Sequence, residues 1–218
     1  MPTVPDEVTE QAELKLQHKK QMKKIAITGT TRGIGAATKA LLEQSNTVWS
    51  LNRPDYDIAN VETLRNIDFT DVDVLILNAG KSHKQYLRDQ AEHDLFNTIN
   101  LNMTGNMYLM QKYLQQRNTG TVVYISSSSI NCHRDHLTLG TYVAAKAGMS
   151  AFIEELRYEI ARFQPAIRLV DIKPGPTRAT AEKFDITDRI PSTYVEVAEG
   201  IKFAVDHPSV INLDFKKH

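Results

Sequence analysis

The chain alternates between two rhythms of apolar and polar positions. Short apolar runs predict strands at 24–28, 47–51, 73–78, 121–126 and 167–172, with a weaker candidate at 209–213. Between them, apolar residues at three- and four-residue spacing predict helices over 33–45, 60–66, 89–116, 141–163 and 194–206. In the longest, Leu95, Ile99, Met103, Met107, Met110 and Leu114 form one stripe, read as core or subunit contact rather than a cofactor box. Strands alternating with helices predict an α/β fold, a parallel sheet covered on both faces. Right-handed crossovers make it doubly wound, with ligands outside the C-terminal ends of the strands. Between the second strand and the run "VDVLILNAG" there is room for one short helix, "NVETLRNI". A full helix plus another strand does not fit, so a shortened or missing edge strand is expected on that side.

Composition narrows the classes. The 218 residues suit one α/β domain, and no repeat or linker divides them. Residues 1–21 are polar and charged and read as an N-terminal extension, a short helix or an arm, ahead of a domain over 22–218. Met22 reads as an alternative start. The 26 basic and 26 acidic residues cancel, which implies no bulk attraction to nucleic acid or membrane. No apolar run reaches the roughly 18–20 residues of a membrane span, and the N-terminus lacks the apolar centre of a secretion signal. Cys132 is the single cysteine, so no intrachain disulfide forms; a reducing compartment, the cytosol, is the expectation. His133 and His136 have the spacing of two metal ligands, but no further Cys/His cluster completes a set, and no metal is expected.

Chemistry begins at "KKIAITGTTRGIGAA", residues 23–37. A glycine-rich turn from strand to helix aims backbone N–H groups and the positive end of a helix dipole at an anion. Phosphate binding is therefore the default. No Lys-Ser/Thr follows any glycine, which excludes the ATP-hydrolysing kind of phosphate loop. The spacing Gly29-x3-Gly33-x-Gly35 also departs from G-x-G-x-x-G.

That turn resembles the TGxxxGxG motif of the short-chain dehydrogenase/reductases. The likeness continues in order through Asn78-Ala79-Gly80, "NMTG" at 102–105, the serine run 126–129, Tyr142-x3-Lys146 and Pro174-Gly175. It spans residues 23–180 and implies a Rossmann-type fold and NAD(P)-dependent interconversion of a carbonyl and an alcohol. It further implies cofactor contacts at Gly29, Thr31, Arg32, Gly33, Ile34, Gly35, Asn78, Ala79, Gly80, Pro174, Gly175 and Thr177. A threonine often follows this Pro-Gly in the family; here Ala179 holds that position, between Thr177 and Thr180. Asp57-Ile58 resembles the family's Asp-Ile/Val pair, whose implied partner is adenine; a helix N-cap is the competing role for Asp57.

The implied catalytic set is Tyr142, Lys146, Asn102 and one serine. A phenol titrates near 10, and a nearby cation lowers that value. Lys146, four residues on, lies one helical turn along the same face. The strand "GTVVYIS" points to Ser127 as the serine and the count back from Tyr142 points to Ser129; Ser127 is favoured. Asn102 matches the family's water-holding helix asparagine, with Asn100 as competitor.

After the second strand, a carboxylate suits the ribose hydroxyls of NAD and a cation suits a 2′-phosphate. Asn52-Arg53 stands there, with Arg32 in the turn, so NADPH is favoured; Asp55 argues for NAD. The expected function is that of an NADPH-preferring carbonyl reductase or alcohol dehydrogenase acting on a small molecule as a homodimer or homotetramer. The alternatives are a catalytically silent NAD(P) sensor and a sugar-nucleotide epimerase or reductase.

Overall fold

The computed structural model describes residues 22–131, 138–178, 181–182 and 191–215. Cys132, His133, His136, Ala179, Thr180 and the N-terminal extension lie outside the described residues. Six parallel strands, β1 (Lys24–Thr28), β2 (Thr47–Leu51), β3 (Val74–Leu77), β4 (Gly120–Ile125), β5 (Ile167–Lys173) and β6 (Asn212–Asp214), make one sheet in the order β2-β1-β3-β4-β5-β6. The chain winds outward first from β1 to β2 and then from β3 to β6. The switch point therefore lies between β1 and β3, where a crevice opens at the strands' C-terminal ends.

Among the described residues five helices cover the faces: α1 (Gly33–Leu42), α2 (Glu92–Ile99), α3 (Gly105–Gln116), α4 (Gly140–Phe163) and α5 (Tyr194–Asp206). Alternate side chains of each strand point to opposite faces. Ile25, Ile27, Val74, Ile76, Val123, Val170 and Ile172 thus form one core with Leu42 of α1 and Val197, Ile201 and Ala204 of α5. Ala26, Leu75, Leu77, Val122, Tyr124 and Leu169 form the other, with Leu109 and Tyr113 of α3 and Met149, Ile153 and Leu156 of α4. α5 begins with a capping box in which Thr193 and Glu196 satisfy each other's exposed N–H groups.

β2 is an edge strand. No strand lies among the described residues between β2 and β3, and the segment holds one 3₁₀ turn, Val61–Leu64, where a longer helix over 60–66 was expected. Its N-cap is Asn60, which accepts from Glu62 N. Aromatic rings fill this flank: Trp49 meets Tyr56 edge-on at 5.6 Å and Phe69 at 6.1 Å, and Phe69 meets Tyr113 at 5.8 Å.

The single helix expected over 89–116 is interrupted. α2 passes into one π turn, Asn100–Thr104, before α3 begins. A π turn adds one residue and leaves backbone carbonyls without their usual i+4 donor. Asn106 compensates, donating from Nδ2 to the Leu101 carbonyl at 2.9 Å.

Candidate active site

The crevice is built first from backbone. Gly29 has φ 70°, a left-handed conformation that glycine adopts without penalty. A Cβ at Gly35 would overlap the Gly29 carbonyl oxygen, so the helix start and the strand end touch through bare backbone. Two threonines that the sequence reading passed over pin this turn. Thr28, fully buried, accepts at Oγ1 from the N–H groups of Asn78 and Ala79, each at 2.9 Å. Thr30 accepts from Asn52 Nδ2 at 2.7 Å and returns its own N–H to Asn52 Oδ1 at 2.9 Å.

These bonds define what two of the expected cofactor residues do. The Asn52 side chain holds the glycine turn, and Asn78 Nδ2 donates to the carbonyls of Thr28 and Gly29, both at 3.0 Å. Arg32, in the turn, and Arg53, just after β2, are exposed, and neither forms an ion pair among the described residues. Thr31 is exposed and Ile34 packs against the core shared by α1 and α5. Asp57 accepts from Ala59 N at Oδ1, a local turn bond, and Ile58 is buried. On the far wall Pro174 is buried, its carbonyl accepting from Ser128 N at 2.9 Å; Gly175 follows, and Thr177 pairs with Ser192.

The other half of the crevice is buried and polar. Gly80 brings it together: a Cβ there would lie 2.8 Å from Asn102 Oδ1 and 3.6 Å from Lys146 Nζ. Asn102, in the π turn, is fully buried and donates from Nδ2 to the carbonyls of Lys81 and Thr98, both at 2.9 Å. Its Oδ1 accepts no hydrogen bond among the described residues. Asn100, the competitor, bonds within its own helical turn through Thr104 and is not at Gly80.

Lys146 is 3% exposed and donates to the Ile125 carbonyl at 2.7 Å. Its ammonium lies 4.7 Å from the Tyr124 ring centre and 5.9 Å from that of Tyr142. Burial draws its pKa down to about 7, against the charge of Asp171, which pulls it back up. Tyr142 keeps part of its ring open to solvent, yet desolvation raises its phenol, and a hydrogen bond with Ser127 lowers it. Ser127 also shares a hydrogen bond with Ser129, Oγ to Oγ at 2.8 Å, and accepts from Ser129 N. Ser127 is thus the serine in contact with Tyr142, and Ser129 stands behind it.

This arrangement can hold an anion at the glycine turn, a flat group beside Gly80, and a polarised oxygen between Ser127 and Tyr142. The residues fit a dinucleotide. The turn offers a helix N-terminus, the missing Cβ of Gly80 leaves space at the ammonium, and the unpaired Asn102 oxygen is placed to accept from a water. No cluster of His, Cys, Asp or Glu suited to a metal occurs among the described residues, and none of their helices is long and apolar enough to cross a membrane.

Comparisons with known proteins bear on the family and the fold. The short chain dehydrogenase family pattern matches residues 57–189, more than half of the chain. An acetoacetyl-CoA reductase of Synechocystis is 26% identical over 174 residues, covering 70% of this chain and 71% of that protein. A 3-oxoacyl-[acyl-carrier-protein] reductase of Chlamydia pneumoniae is 27% identical over 184 residues, covering 70% and 73%. Among solved structures, a Burkholderia cenocepacia short chain dehydrogenase in complex with NADP superposes with a TM-score of 0.75 at 19% identity, over 90% of this chain and 89% of that one. A Brucella melitensis 3-ketoacyl-(acyl-carrier-protein) reductase complexed with NADH also gives 0.75 at 19%, over 88% and 96%.

Proposed function

Because the chain belongs to the short-chain dehydrogenase/reductase family, and is an NAD(P)-dependent oxidoreductase, we propose that it works as an NADPH-preferring carbonyl reductase. The observation that carries this reading is the approach of Lys146 Nζ and Asn102 Oδ1 to Gly80, with the Tyr142 ring 5.9 Å from that ammonium and its hydroxyl bonded to Ser127. Bound at the glycine turn, a nicotinamide cofactor supplies the hydride that no side chain can donate. Ser127 donates to the substrate oxygen and orients it, and Tyr142 gives that oxygen its proton as the alcohol forms. Lys146, when protonated, favours the resulting phenolate. Asn102 Oδ1 holds a water from which the proton is replaced.

Arg32 and Arg53 are the groups for a 2′-phosphate, since both are exposed at the turn and without an ionic partner among the described residues. Exposed Phe96, Tyr158 and Phe163 on α2 and α4 favour assembly into a homodimer or homotetramer. The single cysteine favours the cytosol.

A panel of small ketones and β-ketoacyl thioesters, assayed by NADPH and NADH consumption, tests the reading. Turnover faster with NADPH supports it; tight NADPH binding with no turnover across the panel supports a sensor instead.

A further inference from the structure

The proposed chemistry leaves one buried charge unused. Asp171, on β5, is fully buried, and no backbone N–H, hydroxyl or amide donates to its carboxylate among the described residues. It stands in register with Tyr124 on β4. Parallel partners point to one face, and that face is the core under α4, where Ile167 and Leu169 of β5 meet Met149 and Ile153. The Tyr124 ring in turn carries the Lys146 ammonium at 4.7 Å. A buried carboxylate in such a layer is costly unless cations balance it.

Each neighbouring element can be searched for those cations. β5 offers Lys173, whose Nζ is 3.3 Å from Asp171 Oδ2. α4 offers Arg157 and Lys146. Arg157 is engaged with Glu154, the Ile211 carbonyl and Asn212 Oδ1, and the charge that raises the Lys146 ammonium's affinity for its proton is that of Asp171. β4 contributes Tyr124, a neutral phenol. β6 sets neutral Asn212 opposite Asp171, with exposed Asp214 beside Lys173.

We propose that Asp171 is a positioning residue for the acid–base step, a buried countercharge that keeps protons on the Tyr142–Lys146 pair to higher pH. The proposal rests on the reading of Tyr142 and Lys146 as that pair. A fixed negative charge in a poorly polarisable layer favours every nearby proton, on phenol and ammonium alike. The two groups interact, so the displacement belongs to the pair rather than to either one. Burial pushes Asp171 above the usual carboxylate range, while the charges of Lys173, Arg157 and Lys146 draw it back.

The test needs neither substrate nor cofactor. Tyrosinate absorbance is titrated in the cofactor-free full chain, and the step that disappears in Tyr142→Phe is assigned to Tyr142. In Asp171→Asn and, as a second neutral variant, Asp171→Ser, that step is expected about one pH unit lower. A purely packing role for Asp171 would not move it. A step present in the parent and unmoved or raised in the folded variants overturns the countercharge alone. A parent with no Tyr142 step overturns the acid–base reading and the countercharge with it.

Discussion

The two ends of the crevice are built on opposite principles. At the glycine turn the ligand-facing groups are backbone, and the side chains nearby, Thr28, Thr30, Asn52 and Asn78, spend their hydrogen bonds holding that backbone in place. Charge at this end, on Arg32 and Arg53, is exposed. At the Gly80 end the groups are side chains: Asn102 and Lys146 are buried, Ser127 and Tyr142 partly so, and Asn102 Oδ1 has no hydrogen-bond partner among the described residues. On the proposed reading, the contrast is between a fixed backbone shape that would receive a phosphate and titratable groups, partly removed from water, that would move a proton.

Changes at the buried end should therefore act on turnover and changes at the turn on binding. The largest effect is expected of Tyr142→Phe, which removes the proton donor and lowers kcat about a thousandfold, with NADPH affinity by calorimetry held within about threefold. Gly35→Ala comes next. Its methyl overlaps the Gly29 carbonyl, and opening the turn at about 2 kcal/mol weakens NADPH binding about thirtyfold.

Arg32→Ala and Arg53→Ala should each weaken NADPH binding about tenfold, one charge-assisted contact apiece, and leave NADH binding within about twofold. A loss equal for both cofactors would remove the 2′-phosphate from the account.

Lys146→Met should stabilise the protein while inactivating it. The folded pKa of Lys146, about 7, lies below its unfolded value of 10.5, so the unfolded state binds the extra proton. That destabilisation is full below pH 7 and fades as pH rises toward the unfolded value. The melting temperature of Lys146→Met should exceed that of the parent by about 2–6 °C at pH 6, the gap narrowing toward pH 10. A gap that widens with pH would contradict the assignment.

The same contrast explains what the sequence disclosed. β1 falls where its apolar run lies, because a strand buried in a parallel sheet has few polar positions to blur its ends, and the edge strand β2 falls at the predicted residues as well. The missing edge strand was visible in the short span between Leu51 and Val74. Glycine spacing located the turn, since close backbone approach excludes every other residue. The π turn was not legible: the stripe Leu95–Ile99–Met103–Met107 continues across it. Its three consecutive four-residue steps, wider than the 3.6 of an α-helix, are the trace that an extra residue leaves. Thr28 and Thr30 were passed over because a threonine that braces backbone has no spacing signature. Asp171 sits in a run, "IRLVDIKPG", whose period marks it inward, but only the structure shows which core receives it.

The central claim is that the dinucleotide crevice runs from the glycine turn to Gly80 and ends against Tyr142 and Lys146. A crystal structure with NADP(H) bound tests it most directly. The account predicts the nicotinamide end beside those two side chains and a water on Asn102 Oδ1. A cofactor seated elsewhere, or a Tyr142 hydroxyl turned away from it, would contradict the account.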